Sequence, residues 1–120
     1  MKDNIIAEKS FRFSIRIIRL YKKLIQKKEF TISRQLLRAA TSIGANVEEA
    51  LAASSKRDFL YKMTIASKES RETKYWLRLL HESNYTEDDI SEYLPEADDL
   101  INILTKIVMT TTRNMESDAN

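Results

Sequence analysis

Four stretches of the chain repeat apolar residues at intervals of three and four, the period that gathers them on one face of an α-helix. In the first, Phe13, Ile17, Leu20, Tyr21 and Leu24 form the line. Phe11, Ile18 and Ile25 widen it beyond what one packing seam needs. The second line is Leu36, Ala40, Ile43, Val47 and Ala50, with Leu51 at its end. Small residues crowd its middle, namely Ala39, Ala40, Ser42, Gly44 and Ala45. The third reads Phe59, Met63, Ala66, Ser70, Thr73, Leu77 and Leu80, so two narrow midsections would fit each other. The fourth is Ile90, Leu94, Ala97, Ile101, Leu104, Val108 and Thr111. Beside it, Leu100, Ile103 and Ile107 make a further line that a four-helix monomer has no evident use for, and it is read as a contact between subunits.

These patterns predict helices over about 5–28, 33–53, 55–83 and 87–114. Thr31 or Ser33 is suited to cap the second helix, and Ser54 or Ser55 the third, with Asp58 placed as in a capping box. Glu87, Asp88 and Asp89 suit the positive end of a helix dipole. Pro95 would lose a hydrogen bond inside a helix, so a break there is expected, with a short leading helix over about 87–93 and a main helix over about 95–114. Residues after Arg113 are polar and are expected to fray. With 120 residues the chain makes one domain, 1–120. One glycine and one proline leave little for the turns of a sheet. The expected fold is all-α, an up-down-up-down four-helix bundle with each helix antiparallel to the next. Gly44 inside a helix costs about 1 kcal/mol relative to alanine. Close approach of another helix is the expected return.

Charge changes the picture more than composition does. The formal net charge is +2. Residues 1–30 carry nine Lys/Arg against three Asp/Glu, residues 31–83 nine against six, and residues 84–120 two against nine. Such asymmetry along a chain points to a partner, or to copies meeting head to tail. The acidic Glu96, Asp98 and Asp99 of one subunit would then face the basic first helix of the next. The absence of cysteine excludes disulfides, thiolate nucleophiles and cysteine-based zinc sites. No apolar run approaches the roughly 20 residues that cross a bilayer, and a cytoplasmic protein without membrane contact is expected.

Specific residues carry a family resemblance. Ser33-Arg34-Gln35-Leu36 leads into Ala39-Ala40-Thr41-Ser42-Ile43-Gly44-Ala45-Asn46-Val47-Glu48-Glu49-Ala50. Ser55-Lys56-Arg57-Asp58-Phe59, Lys62, Ile65-Ala66, Lys68-Glu69 and Glu72-Thr73 follow, and Tyr75-Trp76-Leu77 with Leu79-Leu80 closes the block. This block resembles the four-helix-bundle proteins of the 23S ribosomal RNA intervening sequence. The resemblance implies a subunit that assembles into a homo-oligomeric ring, typically a pentamer. It also implies an association with insertions in large-subunit ribosomal RNA genes. A related branch is the accessory protein of diversity-generating retroelements, whose partners are a reverse transcriptase and nucleic acid. Most members have no assigned activity.

Chemistry that would make an enzyme has little to stand on. His81, the single histidine, sits near a helix end beside Leu80 and Glu82 with no second ligand or nucleophile spaced to help it. No Glu-x-x-His pair, phosphate-cradling glycine loop or nucleophile elbow occurs. Glu48, Glu49, Glu69 and Glu72 would suit a divalent metal, but Arg38, Lys62, Lys68 and Arg71 lie in the same block to pair with them. The expectation is therefore no catalytic residue, metal or cofactor. The positive lead is a basic stripe of Arg12, Arg16, Arg19, Lys23 and Lys27 along the first helix, which a ring would repeat in every copy. No aromatics interleave with it, so contact with RNA or DNA there would be to the backbone. Tyr75 and Trp76 are read with Leu100, Ile103 and Ile107 as oligomer contacts. The expected function is a non-enzymatic, nucleic-acid-associated scaffold. The competing readings are an adaptor that docks proteins without nucleic acid, and a metal-dependent enzyme.

Overall fold

In the computed structural model, which describes residues 2–84, 86 and 89–119, the four apolar lines become four helices. They are α1 (Lys2–Gln26), α2 (Thr31–Leu51), α3 (Lys56–Glu82) and α4 (Leu94–Ala119), with a 3-10 turn over Ile90–Tyr93. Cross-helix pairs fix the directions. Ser14 donates to the Ala40 carbonyl, Lys62 bridges to Glu49, Lys56 to Asp118 and Lys9 to Asp99. Along each seam the partner's number falls as the residue's own number rises, as where Lys9 meets Asp99 but Arg16 meets Glu92, so the rod of 54 × 23 × 23 Å is an up-down-up-down bundle. The α2–α3 seam is the most extensive and the α1–α4 seam the loosest. Among the described residues no helix is long and apolar enough to cross a membrane.

The core follows the predicted phases. Phe13, Ile17, Leu20 and Leu24 of α1, Leu36, Ile43 and Val47 of α2, and Met63, Leu77 and Leu80 of α3 are all buried. Each such side chain contributes roughly 1.5–3 kcal/mol on leaving water. Leu100 and Ile107, read from the sequence as a contact between subunits, lie in the core of their own bundle. The reason is that α4 packs against both α3 and α1, so its apolar face must be wider than one line. Ile103 is partly buried against the same cluster.

The helix ends also depart from the sequence reading. α1 stops in a Schellman arrangement: Glu29 N–H donates to the Leu24 carbonyl and Lys28 N–H to that of Ile25. Lys28 takes the left-handed conformation, φ 65°, that this motif needs. Neither Thr31 nor Ser33 caps α2. The buried Glu29 carboxylate accepts from Ile32 N–H at 2.8 Å and Ser33 N–H at 2.6 Å, while Ser33 Oγ donates back to the Glu29 carbonyl. A carboxylate at the positive end of a helix makes a strong cap. Ser55 caps α3 as expected, accepting from Asp58 N–H at 3.1 Å. Pro95 is the second residue of α4, where no intrahelical donor is required, so the main helix begins at Leu94 after the 3-10 turn, close to the expected division. Of the expected leading helix, residues 87 and 88 lie outside the described residues. The expected frayed tail is helical to Ala119, tied down by Lys56–Asp118 at 2.6 Å.

Gly44 turns toward α1, not toward α3. A Cβ built on it would lie 3.5 Å from Ser10 Oγ and 3.6 Å from the Ser10 carbonyl oxygen, which is ordinary contact. The close approach that would justify a glycine is therefore absent, and alanine fits.

Two outcomes follow for urea unfolding. Gly44→Ala raises stability by up to about 1 kcal/mol, the helix-propensity difference. A loss of stability would show that the α1–α2 seam is tighter than described. Glu29→Ala lowers stability by about 1–2 kcal/mol, because it strips the donors of Ile32 and Ser33 of their acceptor.

Candidate nucleic-acid interface

The basic stripe of α1 does not survive intact as a surface. Arg16 is only half exposed and turns toward the start of α4. There it bridges to Glu92 at 3.0 Å, pairs with Glu96, and lies 4.6 Å from the centre of the Tyr93 ring. Lys9 bridges to Asp99 at 2.6 Å across the same seam. Asp98 is taken by Lys74 of α3. The acids expected to reach the basic helix of a neighbouring copy are thus held within their own chain. The seam explains it: α1 and α4 share the least packing, and opposite charges span the gap.

Arg12 is exposed and bridges to Glu8 one turn earlier, at 2.6 Å. Arg19 and Lys23 are exposed, with no acidic partner among the described residues, and Lys22 beside them shares that state. Lys27 reaches the Thr86 hydroxyl at 3.4 Å. The structure therefore keeps Arg19 and Lys23 exposed on the C-terminal half of α1 with Lys22 beside them, places Lys27 and Lys28 in the turn that follows, and withdraws Arg16. The sequence signal for Lys22 and Lys28 was available in the run Lys22-Lys23 and Lys27-Lys28, although they lie off the strict stripe.

Of the carboxylates weighed as metal ligands, Glu49, Glu69 and Glu72 sit on cations, and Glu48 is exposed. Arg38 reaches Glu69 at 3.1 Å and also Glu72, and Trp76 Nε1 donates to Glu72 at 2.9 Å. Lys62 meets Glu49 at 2.8 Å, and this hydrogen bond raises its pKa above the ordinary lysine value. Among the described residues no group of three or more His, Cys, Asp or Glu is arranged to hold a metal ion. His81 is exposed at the end of α3.

Of the expected oligomer contacts, Trp76 is partly buried against the core and Tyr75 stays exposed, its ring edge-on to Trp76 at 5.1 Å. Ile103 lines an apolar groove of about 420 Å3 with Ile5, Phe59 and Ile107. Apolar residues that do reach the surface include Phe11 and Ile18 of α1, 64% and 39% exposed, which the sequence reading took only as a broad core face.

Fold and surface together define an all-α bundle whose chemistry is carried by charge at its faces. The chain belongs to the 23S rRNA-intervening sequence protein family, whose profile matches residues 2–106. It is similar to a crystal structure of a protein of unknown function from the S23 ribosomal protein family of Bacteroides thetaiotaomicron. The two share 43% identity over 91% of this chain and 99% of the other, with a TM-score of 0.85. None of the curated proteins matches.

Two of the three arginines of the α1 stripe, Arg12 and Arg16, separate cleanly by mutation. Arg16→Ala is expected to lower stability by about 1 kcal/mol through its lost pairs and ring contact. Arg12→Ala should stay within about 0.5 kcal/mol. Thermal unfolding at low and high salt reads both, and equal effects would contradict the placement of Arg16.

Proposed function

We propose that the protein is a non-enzymatic scaffold that associates with RNA or DNA through the phosphate backbone, using Arg19, Lys22 and Lys23 of α1 and Lys27 just past its end. The observation that carries this reading is the exposed cation cluster on the C-terminal half of α1. There Arg19, Lys22 and Lys23 have no carboxylate partner among the described residues. Cations held off from acids by the fold keep their full attraction for a polyanion, and each phosphate they neutralise releases counterions. The family's name, which refers to the intervening sequence of 23S rRNA, is in keeping with this partner class. Phosphate contacts position a nucleic acid without reading its sequence, so the binding is shape- and salt-dependent.

In this reading the chain works as a homo-oligomeric ring, for which the family resemblance suggests five copies. The exposed Phe11 and Ile18 supply apolar surface for the contact between copies. A ring repeats the α1 cluster in each subunit, and repetition converts weak patches into avid binding.

Binding of a labelled structured RNA across a salt series tests this, with the mass of the free protein measured beforehand. The variant Arg19→Glu/Lys22→Glu/Lys23→Glu should lose binding and lower the salt slope by about 1 per phosphate contact removed, while the oligomer mass is unchanged. Affinity equal to that of the wild type would sink the proposal. Recovery of a protein partner from nuclease-treated lysate would then favour the adaptor reading.

A further inference from the structure

α3 presents a second surface of different chemistry. From Lys56 to Arg78, every exposed residue of this helix is a cation or a tyrosine: Lys56, Arg57, Tyr61, Lys68, Arg71, Tyr75 and Arg78. The acids of the same stretch are elsewhere. Glu69 and Glu72 are turned to α2 and held by Arg38, and Asp58 is half-buried beside the helix cap. Repeats of seven residues, Tyr61-Lys68-Tyr75 and Arg57-Arg71-Arg78 with one gap, keep these groups on one side of the helix.

The two rings stand out from the helix, and Lys62 Nζ lies over the Tyr61 ring, 5.7 Å from its centre. Tyr61 is 62% and Tyr75 55% exposed. Tyr75 rests edge-on against Trp76, whose own indole is fixed by Glu72 and the core. More than half of Tyr75 is open to solvent, in a groove of about 410 Å3 that it lines with Arg71, Lys74, Arg78, Asp98, Ile101 and Asn102. Arg71 and Arg78 flank it, roughly 10 Å apart along the axis at about 1.5 Å per residue, and Tyr61 lies about 21 Å away on the same face. Some of these cations have partners: Lys56 has Asp118, Lys74 has Asp98, Arg78 has Glu82, and Arg71 donates to the Thr105 hydroxyl. Arg57 and Lys68 have no carboxylate among the described residues.

From this interleaving we infer that the outward face of α3 binds single-stranded nucleic acid, with Tyr61 and Tyr75 stacking on unpaired bases and Arg57, Lys68, Arg71 and Arg78 on the intervening phosphates. Single strands are polyanions that also offer a π-face at every residue, and the combination of cationic track and aromatic platform takes both. The other occupants fit less well. A second copy docked through this same face would bring its cations together, which repels, and the exposed apolar Phe11 and Ile18 of α1 offer copies a better contact. An apolar partner would desolvate the arginines without pairing them. Duplex keeps its bases stacked inside and leaves the tyrosines nothing to do. This site lies on a different helix from the α1 cluster and takes a different form of ligand.

The test uses a labelled oligothymidylate, which forms no duplex, beside a duplex of equal length. Tyr61→Ala/Tyr75→Ala should weaken oligothymidylate binding by roughly 5- to 150-fold for each ring that stacks, and leave duplex binding unchanged. Tyr61→Phe/Tyr75→Phe, which keeps the rings, should bind as the wild type does. Trp76 emission should change on adding oligothymidylate to the wild type, and not in Tyr75→Ala. Oligothymidylate affinity unaltered in the alanine pair would overturn the inference, as would an equal loss in the phenylalanine pair. A fall in oligomer mass in the alanine pair would overturn it too, by making this face a contact between copies. The α1 variant, read with structured RNA, fails or succeeds independently of these results.

Discussion

The bundle is organised by the close approach of α2 to α3. Ala39, Ala40 and Ala50 in one helix and Ala66, Ser70 and Thr73 in the other are buried, and all six are small. Such residues let helix backbones come near, and close-packed contact is where dispersion energy accumulates. The polar members of this set are satisfied locally: Ser70 donates to the Ser67 carbonyl and Thr73 to that of Glu69, so neither leaves an orphaned group. With the central pair fixed, α1 and α4 are each laid on one flank. The seam between α1 and α4 is what remains, and it is the loosest. Ion pairs hold it where packing does not.

That arrangement also sorts the charges. Glu49, Glu69 and Glu72 are used between α2 and α3, Asp98 and Asp118 between α3 and α4, and Glu92, Glu96 and Asp99 between α4 and α1. Eight of the chain's 18 acids are therefore spent on its own seams. Cations outnumber acids by two overall, yet the faces that remain outward on α3 and on the C-terminal half of α1 are much more basic than a net charge of +2 suggests. Exposed pairs of this kind add little to stability, each at most about 1 kcal/mol. Their larger effect is on the shape of the electrostatic field, which decides what the surface attracts.

The apolar phases were legible in the sequence because a helix that buries one face must repeat every three or four residues, and Phe13 to Leu24 or Met63 to Leu80 do so without interruption. The Ser55 cap was legible for the same reason of locality. What was not legible depends on partners distant in sequence. Arg16 meets Glu92 across 76 positions, and nothing in the periodicity of α1 distinguishes it from Arg12 or Arg19. Leu100 and Ile107 form a second apolar line in the sequence whether they meet α1 of the same chain or another copy; only the packing of α4 between two neighbours decides. Glu29 escaped notice as a cap because it stands outside the helix, two residues before its first, and reaches forward. The stripe on α3 was hidden differently. Its acids and cations alternate in sequence, and the segregation emerges only when Arg38 turns Glu69 and Glu72 inward.

The two cationic faces differ in kind, and the difference follows from side-chain chemistry. The end of α1 is dominated by lysine, with Lys22, Lys23, Lys27 and Lys28 around Arg19. Lysine is a compact, well-hydrated point charge that accepts many phosphate geometries and rewards none strongly. The exposed face of α3 is dominated by arginine, with Arg57, Arg71 and Arg78 set among Tyr61 and Tyr75. Guanidinium is planar and less strongly hydrated, it forks onto phosphate oxygens, and it stacks on rings. The first surface therefore suits loose, salt-sensitive attraction to any folded polyanion. The second suits a strand whose bases are free to leave one another. A nucleic acid with paired and unpaired segments satisfies both at once, and two helices held at fixed separation by one rigid core make simultaneous contact a question of geometry rather than of flexibility.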